Sequence, residues 1–151
     1  MATESPPFAL RPARSEDFAY AERLYLATME PLLTALGAYR ERELSSRLRR
    51  AFNVRHVRIV IADERDIGWI QETVGSRSTA LNQIHLEQPY RAMGIGTSLI
   101  LEIIARAKRR RHPVTLALPR NNRAISLYRR LGFREIGVEG WKLKMRLDFK
   151  T

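Results

Sequence analysis

The chain contains no cysteine among its 151 residues. This absence excludes disulfide bonds, thiolate metal ligands and a cysteine nucleophile. The sequence also lacks an apolar run of membrane-spanning length, and residues 1–7 lack the basic segment and apolar stretch of a secretory signal. His, Asp and Glu form no group with metal-ligand spacing. We therefore expect a soluble cytoplasmic protein with no membrane association and no metal site.

Acidic residues are scarce relative to basic ones. The chain has 16 Asp and Glu against 27 Lys and Arg, which gives a formal net charge of +11. Two basic clusters lie at residues 47–50 and 108–111. Such clusters attract a polyanion, for example nucleic acid or an acidic protein, or they form the solvated ends of two helices, where cations also suit the helix dipole. The sequence leaves both interpretations open.

Hydrophobic residues make up 44% of the chain, which favours a single folded domain over residues 1–151. Apolar periodicity and turn residues predict the element order β-α-α-β-β-β-α-β-α-β-β. A helix begins after the N-cap Ser15, Pro31 restarts a second helical stretch, and Gly37 interrupts that stretch. The predicted strands and later helices are strands 8–11, 57–62, 67–74, 79–86, 114–118, 134–138 and 141–147, and helices 41–52, after 96, and 124–131.

A glycine-containing turn at residues 91–96 joins the predicted strand 79–86 to a helix. Gly94 and Gly96 allow a tight turn with inward N–H groups, and neither has a Cβ to block a nearby ligand. The helix N-terminus adds unpaired N–H donors and the positive end of a dipole. The turn therefore predicts a phosphate or pyrophosphate site, although the same pattern also fits a simple strand-to-helix connection. It is neither a P-loop nor a dinucleotide fingerprint, because the Lys-Ser/Thr pair and the third glycine are missing.

Two motifs in this region resemble one known family. Arg91-x-x-Gly94-x-Gly96 is similar to the Q/R-x-x-G-x-G/A acyl-CoA loop of the GNAT N-acetyltransferase superfamily, and residues 121–133 are similar to its N-x-x-A-x-x-L-Y-x-x-x-G-F segment. The motifs occur in the family's order and at about its spacing, and the resemblance covers essentially the whole chain. Two positions depart from the pattern: Ala92 lies where glycine is usual, and Met93 where a basic residue is common.

The resemblance implies an α/β fold with a mixed, mostly antiparallel sheet of six to seven strands, flanked by about four helices and splayed between its fourth and fifth strands. It implies acetyl-CoA as the acyl donor and a primary amine of a small molecule, peptide or protein as the acceptor. It also allows a homodimer. Tyr25, Met29 and Tyr39 fall in the region that forms one acceptor wall in the family, where they line the pocket or belong to the core.

The resemblance also implies individual roles in the site. Tyr128 corresponds to the tyrosine that protonates the CoA sulfur, and Asn121 to a residue that reaches the cofactor arm or an ordered water. The backbone N–H of Ile84 corresponds to the group that polarises the thioester carbonyl, and the backbone of Leu86 to one that binds the pantetheine arm. The pyrophosphate loop corresponds to Arg91, Ala92, Met93, Gly94, Ile95, Gly96 and Thr97.

The general base is not evident from the resemblance. The family positions on the fourth strand that often carry Glu or His are Ala80 and Asn82 here, and neither accepts a proton. We predict Glu72, on the preceding strand, as the nearest carboxylate for this role. His85 and Glu87 rank lower, because strand alternation turns them away from the face of Ile84 and Leu86. A water chain, or an amine of low pKa that needs no base, remains an alternative.

Two other functions fit the same sequence. A non-catalytic acyl-CoA-binding module would need no base, and a basic nucleic-acid-associated protein would account for the charge. The second ranks last, because the sequence contains neither an aromatic-rich sheet face nor a recognition-helix pattern.

Overall fold

The computed structural model describes residues 6–150, arranged as seven strands and four helices. The prediction of one domain over residues 1–151 extends beyond this range and stays a prediction, and most of the segment 1–7 lies outside the described residues. The strands are β1 (Ala9–Pro12), β2 (Val57–Ala62), β3 (Arg65–Val74), β4 (Thr79–Leu86), β5 (Val114–Pro119), β6 (Arg134–Glu139) and β7 (Lys142–Leu147). The helices are α1 (Phe18–Ala35), α2 (Glu41–Ala51), α3 (Ile95–Arg110) and α4 (Ala124–Arg130).

The strands form one sheet in the order β1-β2-β3-β4-β5-β7-β6. Only β4 and β5 are parallel neighbours, and every other adjacent pair is antiparallel. Helix α3 makes the long connection that a parallel pair requires. The observed sheet confirms the predicted mixed, mostly antiparallel architecture and element order.

The fourth and fifth strands part soon after they meet. Their pairing is confined to residues 79–81 of β4 against 114–116 of β5. Beyond Leu81, β4 continues to Leu86 paired only with β3, and β5 continues to Pro119 paired only with β7. A gap therefore opens in the middle of the sheet, which confirms the predicted splay.

The sheet separates two apolar cores. The alternation of β3 shows this division, because Ile70 packs toward α3 and α4 while Trp69 packs toward α1 and α2. Trp69 is fully buried, and its indole N–H donates to the carbonyl of Ala21 in α1 at 3.1 Å. Burial of each large apolar side chain contributes about 1.5–3 kcal/mol, so the two cores hold the helices against both faces of the sheet.

Three local predictions were wrong. Pro31 does not restart a helix but lies inside α1. Proline has no backbone N–H to donate, but the buried side chains of Met29 and Leu33 pack on either side of it and keep the helix intact. Ser15 is not a helix N-cap, because Ser15–Asp17 forms a short 3-10 turn preceded by Arg14. Strand β3 begins at Arg65, two residues earlier than predicted, because the turn before it is confined to Asp63 and Glu64, both with positive φ.

Candidate functional site

A cavity of about 240 Å³ fills the gap between the splayed strands. Residues 82–85 of β4 and 116–119 of β5 line its two sides, α1 and α2 form one wall, and α4 contributes to another. Because the cavity lies in a gap of the sheet, side chains from both faces reach it. Ile84, which packs toward α3, and His85, which packs toward α1, both line the cavity.

Tyr128 of α4 brings a phenol to this cavity. Its side chain is only 4% exposed, and its ring packs edge-on against Phe133 with 5.3 Å between the ring centroids. The hydroxyl forms no hydrogen bond with any of residues 6–150. Burial raises the pKa of Tyr128 to about 12, because the phenolate would lose hydration without gaining a partner. The hydroxyl therefore stays protonated at neutral pH and is available as a proton donor.

His85 brings an imidazole to the same cavity. It is 7% exposed and packs against Tyr25 and Trp69, with ring centroids 5.3 and 5.2 Å away. Its Nε2 donates to Oε1 of Gln83 at 2.6 Å, and its buried Nδ1 has no hydrogen-bond partner in residues 6–150. Burial, with a smaller contribution from the positive charge of Arg91, lowers the pKa of His85 to about 3. The imidazole is thus neutral, with an unused lone pair on Nδ1.

The predicted base, Glu72, lies elsewhere. Its Oε1 accepts a hydrogen bond from Arg106 of α3 at 2.9 Å, and it lines a second cavity, of about 350 Å³, that Tyr128 does not line. Strand alternation explains the placement: Gln71 turns toward α2, where its Nε2 donates to the carbonyl of Ala51 at 3.0 Å, so Glu72 turns toward α3. The structure does not bring Glu72 and Tyr128 together.

The turn at residues 91–97 lies at the start of α3 and beside the end of β4. Gly94 caps the helix with φ +89°, and the first helical bond runs from the Ser98 N–H to the Gly94 carbonyl at 2.9 Å. The N–H groups of residues 95–97 therefore have no partner within the helix. The Arg91 side chain folds back, with its Nε donating to the Leu86 carbonyl at 2.9 Å. The geometry is that of an anion site made of backbone donors at a helix N-terminus.

The remaining predicted residues are placed as follows. Ile84 lines the cavity, and Leu86 packs beside the loop, where a Cβ on Gly96 would lie 3.7 Å from Leu86 Cδ1. Asn121 does not line the cavity, because its Nδ2 donates to the carbonyl of Leu32 in α1 at 2.9 Å. The next residue, Asn122, lines it instead, with its Oδ1 accepting from the N–H of Ala124 at 2.8 Å.

The predicted acceptor wall on α1 is only partly realised. Tyr25 and Met29 line the cavity and are also part of the buried core, so both interpretations of these two residues hold. Tyr39 does not line it, and its hydroxyl donates to Glu41 at 3.3 Å.

His85 ranked below Glu72 as a candidate base in the sequence for a physical reason. Period-two alternation correctly turned it to the face opposite Ile84, but it did not locate the gap in the sheet that opens to both faces. The resemblance implied the gap between the two strands, but only the tertiary packing shows that His85 lines it from the face of α1.

Within residues 6–150, no three His, Asp or Glu side chains are grouped so as to hold a metal ion. In the same range, no helix combines the length and apolar character needed to cross a membrane.

Comparison with known proteins gives one family match. A family model described as an acetyltransferase (GNAT) domain matches residues 54–135. An uncharacterized N-acetyltransferase of Methanocaldococcus jannaschii is 38% identical over 79 residues, a stretch that makes up 50% of this chain and 35% of the relative. The match thus spans only about a third of that relative's length.

Solved structures share the whole architecture. The PaiA N-acetyltransferase from Thermoplasma acidophilum, in complex with coenzyme A, superposes with a TM-score of 0.73 at 19% identity, covering 95% of this chain and 99% of that one. Naa50 from Arabidopsis thaliana, in complex with the bisubstrate analogue CoA-Ac-MVNAL, gives a TM-score of 0.62 at 17% identity, covering 94% and 99%. At these identities the likeness establishes the fold.

Proposed function

The chain belongs to the GNAT acetyltransferase family, and from this premise we propose that it is an acetyl-CoA-dependent N-acetyltransferase acting on a primary amine. The family match and the fold confirm the family and the acyltransferase class that the motifs at residues 91–96 and 121–133 predicted. The observation that carries the proposal is the cavity between β4 and β5, which contains a neutral, unbonded phenol at Tyr128 and a free imidazole lone pair at His85.

The residues present suit an acyl-CoA. The N–H groups of residues 95–97 and the turn before them would hold the pyrophosphate, since a helix N-terminus with left-handed glycine at its cap presents several donors to one anion. The edge of β4 beyond Leu81 is unpaired on the side of β5 and offers backbone groups of Ile84 and Leu86 to the pantetheine arm. Acetyl-CoA, when bound, supplies an acetyl group already activated as a thioester.

Each side chain in the cavity then has a defined task. The N–H of Ile84 polarises the thioester carbonyl as its oxygen gains negative charge. Tyr128, which burial keeps protonated, donates a hydrogen bond to the departing sulfur and stabilises its negative charge until the thiolate takes a proton from water. His85 Nδ1 accepts a hydrogen bond from the acceptor amine and orients its lone pair.

We propose His85 in place of Glu72 as the group that meets the acceptor amine. Burial lowers the pKa of His85 to about 3, so the imidazole does not retain a proton. The acceptor therefore reacts as a neutral amine, and its proton leaves through water. Glu72 takes no part, since Arg106 holds it on the other face of the sheet. Asn122 takes the place predicted for Asn121 at the cavity wall.

Calorimetric titration with acetyl-CoA tests the cofactor site. We expect binding in the micromolar range, lost in Gly94→Glu, because a carboxylate at the loop repels the pyrophosphate. The matched control is Gly37→Glu after α1, where φ is also positive at +67°, a Cβ meets nothing within 4 Å and the same charge is added away from the site. The control should bind like the parent protein.

Release of CoA thiol with a panel of amines tests catalysis. The chain has no cysteine, so the protein contributes no thiol and the thiol detected in the assay comes from CoA. Turnover with any amine supports the transferase. Tight binding without turnover on any amine would indicate an acyl-CoA-binding module instead, and failure to bind acetyl-CoA would overturn the proposal altogether.

A further inference from the structure

The charged side chains that line the cavity are all positive. They are Arg47 of α2 and Lys142 of β7, and no Asp or Glu of the described residues lines it. This is unexpected for a pocket that receives an amine, because a cationic acceptor would be repelled at the entrance. The charge points instead to a negative group on the acceptor.

Neighbouring carboxylates leave this positive charge incompletely balanced. Arg47 pairs with Glu43 at 3.1 Å, but both side chains are about half exposed, so the pair is weak and solvent-screened. Glu139, in the hairpin beside Lys142, pairs with Lys144 at 2.8 Å rather than with Lys142. Lys142 has no salt bridge within residues 6–150, and its Nζ lies 5.4 Å from the centre of the Trp141 ring.

The two cations also act on each other. Burial lowers the pKa of Lys142, and the positive charge of Arg47 lowers it further. Two like charges at one cavity disfavour each other until an anion lies between them, at which point both gain a charge-assisted hydrogen bond. The amide oxygens of the polar β4 residues do not oppose such an anion, because Asn82 Oδ1 accepts from Thr73 and Gln83 Oε1 accepts from His85.

The cavity volume limits the size of the acceptor. Sites for drug-sized ligands measure about 300–1,000 Å³, whereas this one measures about 240 Å³ and must also admit the acetyl end of the donor. A small molecule fits this space better than a folded protein segment.

Resting on the proposed transferase function, we propose that the acceptor is a small amino-carboxylate, whose carboxylate binds between Arg47 and Lys142 while its neutral amine meets Nδ1 of His85. The side chain of Lys142 holds the anion through its ammonium, which lies over the Trp141 ring. Arg47 of α2 offers a second, forked donor from the cavity lining.

Matched pairs of acceptors test the proposal. Glycine, alanine and glutamate are each compared with the corresponding α-amide, and putrescine serves as a dicationic probe. The α-amide keeps the amine and the size but removes the charge of the α-carboxylate; in glutamate the side-chain carboxylate remains. Because loss of the carboxylate lowers the pKa of the neighbouring amine, ionisation alone would favour the amide. A preference of about tenfold or more in kcat/KM for at least one amino acid over its amide would therefore report recognition of the carboxylate, at the strength of one charge-assisted hydrogen bond.

Reversing the charge of Lys142 tests whether this residue recognises the carboxylate. Lys142→Glu should reduce kcat/KM for that amino acid by about tenfold or more and shift the preference toward the amide and putrescine. Arg109→Glu, which changes the same charge on the exposed end of α3, should leave the preference and the acetyl-CoA affinity unchanged. Equal use of acid and amide by the parent protein, or an unchanged ratio in Lys142→Glu, would overturn the proposal. Activity on acidic peptides but on none of the free amino acids would overturn it as well.

Binding of the same probes in the presence of CoA separates this inference from the transferase function. Trp141 lines the cavity, so its fluorescence reports occupancy without turnover. If acetyl-CoA binds but no amine is acetylated, the proposed function fails, and the binding preference still decides whether the cavity takes an amino-carboxylate. If amines are acetylated but putrescine binds best, the function stands and this inference falls.

Discussion

Arg106 of α3 holds Glu72 of β3 through a 2.9 Å contact on the side of the sheet opposite α2, with the two side chains 31% and 14% exposed. The pair holds the carboxylate that strand position alone suggested as a base in a cavity that Tyr128 does not line. Glu72 Oε2 is buried and has no hydrogen-bond partner in residues 6–150. The ion pair with Arg106 therefore offsets the cost of burying this carboxylate.

Glu72→Gln should therefore affect folding rather than catalysis. We expect the free energy of unfolding to fall by about 1–2 kcal/mol, since the partly buried Arg106 loses its charged partner. We expect kcat/KM to stay within about twofold of the parent value, because a group outside the reaction removes no stabilisation of the transition state. Urea unfolding and steady-state thiol release check the two parts, and a hundredfold loss of kcat would restore Glu72 as the base.

Tyr128→Phe should have the opposite profile. Loss of this donor should lower kcat by about 10²–10⁴-fold, while the free energy of unfolding changes little, because the hydroxyl has no hydrogen bond to lose within the described residues. Tyr20→Phe is the matched control. The Tyr20 hydroxyl donates to Glu87 at 2.9 Å, so this variant should lose about 1 kcal/mol of stability and keep its activity. A Tyr128→Phe enzyme with the parent turnover number would exclude Tyr128 as the donor to the sulfur.

The raised pKa of Tyr128 also makes a prediction about the pH–rate profile. A phenol of ordinary pKa, about 10, would lose its proton and its function near that pH. With a pKa of about 12, kcat should rise as the acceptor amine is deprotonated and then stay level to about pH 11. Thiol release is measured by a direct, pH-independent method, with circular dichroism at each pH to verify folding. A descending limb centred near pH 10 in a still-folded enzyme would contradict this assignment.

Because the pKa of His85 is lowered, the free energy of unfolding should vary with pH in the mildly acidic range. The unfolded histidine binds a proton below about pH 6.5, whereas the folded one resists protonation down to about 3. The unfolded state thus binds more protons in this interval, and the free energy of unfolding falls as the pH falls, by at most about 1.4 kcal/mol per pH unit. Asp17, Asp148 and Glu139, whose pKa values are lowered by Arg and Lys partners, add their own loss below about pH 5.

Urea unfolding at intervals between about pH 5 and 6.5 separates the histidine contribution from that of the carboxylates. His85→Gln, which keeps a polar side chain of similar reach, should flatten the slope in that interval. An equal slope in the parent protein and the variant would show that His85 is not the group responsible.

The sequence predicted the fold closely and the site less so, and particular residues show why. Strand β4 was predicted at residues 79–86 and lies there, because its apolar pattern and flanking turns are local signals. The choice between Glu72 and His85, and between Asn121 and Asn122, depends on which way a side chain turns relative to a gap in the sheet. That direction follows from tertiary packing, such as the bond from Asn121 to the Leu32 carbonyl, and no local pattern encodes it.

Pro31 illustrates the same limit in a helix. Proline is a strong local stop signal, yet α1 continues through it because Met29 and Leu33 are both buried beside it. Tertiary burial outweighed local propensity at this position.

The loop at residues 91–97 provides the last prediction, because it holds alanine where the family usually has glycine. Ala92 has φ +63° and Gly94 has φ +89°, so both occupy the left-handed region that disfavours a Cβ. Ala92→Gly relieves a backbone strain of about 1–2 kcal/mol in the folded state. The added conformational entropy of the unfolded chain lowers the free energy of unfolding by about 0.4–1 kcal/mol, so the net change should be a small stabilisation. Gly94→Ala has the reverse balance and should lower the free energy of unfolding by about 1 kcal/mol. Urea unfolding measures both changes. Acetyl-CoA titration should give the parent affinity for Ala92→Gly, since no backbone N–H is altered, and a tenfold loss in that variant would mean that the alanine methyl group itself shapes the cofactor site.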